Sequence, residues 1–189
     1  MNRRVFFRNT ALGLIAASAL PRHLHASNLT IVNVVLVGNP GAGKSSLTLR
    51  AVTGHFVEGY SPEMEDVYRI RRKLDGRDFL LEVFDTATDE FRHNALKRAH
   101  VVFACHDLAH APSFADLESR WGDELRRHAP SARCVLVGCK SDLPARAIRE
   151  EDRAALAARL GWKGSVVCSA KTGDGIGALL DLAARHSSS

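Results

Sequence analysis

Apolar residues in this chain fall into short, nearly continuous runs, and between the runs they recur at helical spacing. Ile31–Val37, His100–Cys105, Arg133–Val137 and Ser165–Cys168 are apolar and rich in β-branched residues, as strands buried on both faces of a parallel sheet are. Tyr68–Leu74 and Phe79–Phe84 read as two further strands, joined at Asp75-Gly76, a hairpin turn signal. Helices are expected from Ser45 to about Thr53 (closed by Gly54), around Glu90–Arg98, over Ser113–His128, over Glu150–Leu160 (stopped by Gly161) and over Ile176–His186. His55–Val67 has no clear period and contains Gly59 and Pro62, so it reads as a loop. Strands alternating with helices predict an α/β domain: a mostly parallel sheet with helices on both faces and ligand loops at the strand carboxyl ends.

One turn in this pattern carries chemistry. Gly38-Asn39-Pro40-Gly41-Ala42-Gly43-Lys44-Ser45 fits G-x-x-x-x-G-K-[ST] and lies between the first strand and the first helix. A Gly-rich turn feeding a helix N-terminus gathers unpaired N–H groups and the positive end of the helix dipole, which together bind phosphate. Gly41, Ala42, Gly43, Lys44, Ser45 and Ser46 are therefore expected to bind nucleotide. Lys44 reaches the outer phosphates, and Ser45 offers its hydroxyl to Mg²⁺. Asp85, at the end of the Phe79–Phe84 strand, is the candidate second-site acid for that ion.

Composition narrows the partners. The net charge of +5 suggests nucleic acid, but six of the 26 Lys and Arg precede Glu58, the first acidic residue. The remaining 20 face 21 Asp and Glu, so the body is near neutral and shows no basic footprint. Arg69, Arg71 and Lys73 alternate on one face of an expected edge strand, where charge chiefly blocks unwanted pairing and secondarily offers a surface to an acidic partner. Cys105, Cys134, Cys139 and Cys168 have no metal or disulfide spacing and point to a reducing cytoplasm. Residues 1–27 stand apart from the domain expected over 28–189. Arg3-Arg4 before Phe6-Phe7, then the apolar Ala11–Leu20, resemble a twin-arginine signal or a mitochondrial presequence, which leaves localisation open. His106 and His110 bracket Asp107 at a strand end, where a metal site is not expected; Trp121 and Trp162 read as core or boundary residues.

Taken together, the loops at the strand ends resemble those of the Ras-like small GTPases over about Leu29–His186. Tyr60-x-Pro62-x-x-Glu65-Asp66-x-Tyr68 is similar to the effector loop of the Ras branch, and Leu80–Ala87 also resembles the Ras pattern. The resemblance implies a phosphate-loop NTPase fold of six mostly parallel strands and five helices. It also implies GTP or GDP with Mg²⁺, a signalling switch that hydrolyses GTP, a monomer, and effectors and regulators docking on 60–68 and the following edge strand. Lys140-Ser141-Asp142 matches the latter part of the N-K-x-D loop: Asp142 accepts from both guanine N–H groups, and Lys140 and Phe56 flank the base. Ser169-Ala170-Lys171 matches the S-A-K loop, whose backbone N–H donates to the guanine oxygen.

The departures are as specific as the matches. The family's base-loop Asn is Cys139 here, a loss of about 1–2 kcal/mol. The Thr that ligates Mg²⁺ falls at Glu63, which either joins the metal ligands or opposes the γ-phosphate by about 3 kcal/mol. The switch Gly falls at Thr88, expected to resist positive φ, and the water-positioning Gln at Asp89. Pro40 removes an N–H donor, and the helix after Asp89 is about one turn short. With Lys44 and Asp89 as the catalytic candidates, hydrolysis is expected to be slow or partner-dependent; the alternative is a scaffold that binds nucleotide without hydrolysing it. No Cys follows Cys168, so no prenyl anchor is expected.

Overall fold

The computed structural model describes residues 29–58, 66–86, 88–145 and 147–186. The targeting-like segment 1–27, Glu63 and most of the effector-like loop lie outside the described residues. The sheet contains β1 (Thr30–Val37), β2 (Asp66–Leu74), β3 (Arg77–Asp85), β4 (Val101–Asp107), β5 (Arg133–Cys139) and β6 (Ser165–Val167). Their order is β2-β3-β1-β4-β5-β6, and every pairing is parallel except the β2–β3 hairpin. The hairpin turns at Asp75 and Gly76, both at positive φ, the conformation that a two-residue turn between twisted strands requires.

Helices α1 (Lys44–Thr53) and α6 (Ile176–Arg185) cover one face. Leu47, Leu179 and Ala183 pack there on Val32, Val34, Leu36, Leu81 and Phe103. On the other face lie α2 (Asp89–Leu96), α5 (Glu150–Leu160) and a helical run made of α3 (Ala111–Asp116), a π-helical turn (Leu117–Trp121) and α4 (Gly122–His128). Counted as one helix, that run gives the five helical segments expected. Strands β4 and β5, and β1 from Val34 on, are almost wholly buried, which is why these stretches are continuous apolar runs rather than alternating ones. All four cysteines are free and buried, and Trp121 belongs to the core.

Two expectations on the second face need correction. The Ser113–His128 segment is not a uniform α-helix: it starts at Ala111, with the His110 ring accepting from the Ser113 N–H, and it widens at Leu117–Trp121. Apolar spacing tracks which residues are buried and does not register one inserted residue. Thr88 is not strained either. Its φ of −102° is extended, and its hydroxyl caps α2 by accepting from the Phe91 N–H at 3.4 Å. The turn does not use positive φ at this position, so a β-branched residue fits without penalty.

Candidate functional site

In the sheet β1 lies between β3 and β4; the chain leaves β1 through α1 for β2 on one side, and leaves β3 through α2 for β4 on the other, so the loop after β1 sits where the winding reverses, at the topological switch point. That loop is the Gly-rich one, with Gly38, Gly41 and Gly43 all at positive φ. Gly38 is fixed by space as well: a Cβ there would lie 2.2 Å from the Cys105 carbonyl oxygen. The loop ends at the N-terminus of α1, whose ten residues aim their free N–H groups and dipole into it. Lys44 points its ammonium back into the loop and donates to the carbonyls of Gly38 (2.8 Å) and Asn39 (3.0 Å). Burial pulls Lys44 below the usual lysine range; Cys105, Asp85 and Cys139 oppose that and Arg92 adds to it. Asp85, buried at the end of β3, is thus an electrostatic neighbour of Lys44. Thr86 beside it is locked by donating to the Leu36 carbonyl at 3.0 Å.

A cavity of about 250 Å³ opens beside this loop. Gly43, Ser46, Phe56, Lys140, Asp142, Ala170 and Lys171 all line it, so seven of the residues expected to bind nucleotide converge from four separate loops. Ser169 is fully buried and contributes indirectly, its hydroxyl donating to Asp142 Oδ1 at 2.6 Å and accepting from the Thr172 N–H at 3.1 Å. Asp142 is therefore presented with one oxygen already fixed. Lys140 takes a positive φ of 62° and donates to Asp107 Oδ2 at 2.7 Å. Burial opposes ionisation of Asp107, but Lys140 and the Ala109 N–H outweigh it and hold the carboxyl below its usual range.

Sequence reasoning missed several of these groups. Glu58, Leu47, Leu143 and Cys168 also line the cavity, and Asp107 orients Lys140 from the end of β4. Only Asp107 carried a signal, as a polar residue closing an apolar run. His106 and His110 do not join it around a metal: among the described residues no cluster has that geometry. His106 is instead a core residue against Phe114, and burial lowers its pKa to about 4. Cys139 backs the loop, its Cβ 3.2 Å from where a Cβ on Gly43 would stand. Contact with Cys105 and burial hold its thiol protonated, so it serves as a small apolar wall. Asp89, the candidate for positioning water, is exposed at the start of α2 and bound to Arg92 at 2.5 Å. Glu63, the candidate metal ligand, lies outside the described residues.

A Gly-rich loop closing on a helix N-terminus, a buried acid beside its lysine and an aspartate-bearing cavity next door, on a six-stranded mostly parallel sheet, fit the P-loop NTPase α/β fold. The sequence model of the Ras family matches residues 33–188, and the chain belongs to that family. In general terms it is a small GTPase, a class that binds guanine nucleotide and Mg²⁺.

Proposed function

We propose that the chain is a guanine-nucleotide switch in which the grip on base and diphosphate is built and hydrolysis is slow or dependent on a partner. The observation that carries the reading is the convergence of Asp142, Lys140, Phe56 and Ala170 on one cavity next to Lys44. An aspartate with one oxygen held by Ser169 offers acceptors to paired N–H donors, which guanine has and adenine lacks. The residues present also fit Mg²⁺: the Ser45 hydroxyl and Asp85 would hold it beside Lys44, with Glu63 as a further oxygen donor. Bound there, the ion would neutralise charge on the phosphates. Lys44 holds the outer phosphates, and the α1 N-terminus supplies N–H donors.

Protein partners are proposed at 60–68 and along β2, the antiparallel edge of the sheet. Arg69, Arg71 and Lys73 are exposed there, with Arg69 paired to Glu82 at 2.8 Å. Acidic partners suit that edge best. The chain is proposed to act as a monomer in the cytoplasm.

A specific observation favours the second reading, a binder that does not hydrolyse. Asp89 is engaged by Arg92 rather than free to orient water, and it cannot donate as a Gln amide does. Single-turnover GTP hydrolysis separates the two. Changing Glu63→Thr and Asp89→Gln together restores a neutral metal ligand and an amide able to orient water, and should raise the rate at least about tenfold, some 1.4 kcal/mol in barrier. A parent with no measurable turnover and a double variant that gains nothing would leave the scaffold reading standing.

A further inference from the structure

Arg92 is, with Arg153, one of two buried arginines among the described residues that the nucleotide site does not account for. It is 5% exposed, on α2 one turn after Asp89, and its guanidinium bonds Glu124 at 2.6 Å and Asp89 at 2.5 Å. It also lies over the Trp121 ring, 5.1 Å from the centroid. Trp121 in turn donates its indole N–H to Asn39 Oδ1 (3.0 Å) in the phosphate loop, and Asn39 donates to Asp116 Oδ2 (2.5 Å). Asp116 and Trp121 are five residues apart. A regular α-helix would splay them by about 140°; the π turn between them, closed by the Gly122 N–H on the Leu117 carbonyl, brings both to the phosphate loop. Asp89 is thus tied through Arg92 to a platform anchored on the loop that takes the phosphates.

We propose that Arg92 is a positioning residue that neutralises Asp89 and holds it back on α2, so that the γ-phosphate is tolerated beside a carboxylate. The inference rests on the guanine-nucleotide reading. An unpaired carboxylate near the γ-phosphate repels it, and a buried guanidinium fixed by Glu124 and Trp121 supplies the missing counter-charge. GDP has no γ-phosphate and should not sense the arrangement. That Asp89 faces the γ-phosphate is what the family resemblance implies; the platform is what would let a carboxylate stand there.

The test uses the full chain with Mg²⁺, titrated with fluorescent GDP and with a fluorescent, slowly hydrolysed γ-thio GTP. Arg92→Gln should weaken the triphosphate analogue about tenfold while changing GDP affinity less than about twofold. Adding Asp89→Asn to that variant should bring the analogue back to within about threefold of the parent, because the unpaired charge is gone. A merely structural arginine would weaken both nucleotides alike, with no rescue by Asp89→Asn, and that result overturns the proposal. If Arg92→Gln does not fold, Asp89→Asn alone decides, since Asp89 is exposed. Already neutralised, it should shift the triphosphate-to-diphosphate affinity ratio less than about twofold, and a tenfold gain for the analogue would show that Arg92 does not compensate it. A parent that binds neither nucleotide overturns the underlying reading instead.

Discussion

In the proposed reading, Asp142 carries base choice because of what holds it. Ser169 Oγ donates to one carboxylate oxygen, which fixes the rotamer and leaves acceptor capacity facing the cavity. Asp142→Asn places an N–H₂ where only acceptors belong. Preference for GDP over ADP should fall by about two orders of magnitude in competitive binding. An unchanged preference would mean that another group reads the base. His106 makes a different prediction. It is fully buried with no hydrogen bond to Nε2, between Phe114 and the Arg153 side, and burial lowers its pKa from 6.5 to about 4. Between those values the unfolded chain binds a proton that the folded chain does not, so stability falls as pH drops from 6.5 toward 4, by up to about 3 kcal/mol. His106→Leu should remove most of that slope, measured by urea unfolding at pH 7.5 and pH 5. The sequence pointed to Asp142 through the resemblance of Lys140-Ser141-Asp142 to the N-K-x-D loop, but it could not show that Ser169 holds it. That role depends on β5 and β6 lying side by side.

At the scale of elements, α2 packs Ala95 and Leu96 into the core and adds polar and ring contacts to α4. Arg92 and Glu124 form an ion pair with side chains only 6% and 11% exposed, and His93 stacks on His128 at 4.0 Å. Removing one partner of a buried pair leaves the other charge uncompensated. Glu124→Gln should therefore cost about 3 kcal/mol in chemical denaturation, although Asp89 remains as a second partner for Arg92. A loss below about 0.5 kcal/mol would show that the pair behaves like a surface contact. Strands and most helix ends were legible because burial sets their pattern and Gly54 and Gly161, both left-handed, end two helices. The π turn was not, since its cause is a tertiary contact between Trp121 and Asn39, 82 residues away. The capping role of Thr88 was hidden for a similar reason: a hydroxyl that caps and a hydroxyl that obstructs look alike in sequence.

For the molecule as a whole, the sheet order places every liganding loop at one end, with the β1 loop at the switch point and the β5 and β6 loops beside it. The arrangement separates two capacities. In the proposed reading, binding depends on the loops that follow β1, β3, β5 and β6, which the sheet holds side by side. Hydrolysis is proposed to depend on residue 63 and on Asp89, which a buried arginine holds to α2. The central claim is the first of these, and isothermal calorimetry of the full chain with Mg²⁺ tests it most directly. GDP should bind and ADP should bind at least about a hundredfold more weakly, with Lys44→Ala losing most of the GDP affinity. Equal affinity for the two nucleotides, or a Lys44→Ala variant that binds GDP as the parent does, would contradict the account.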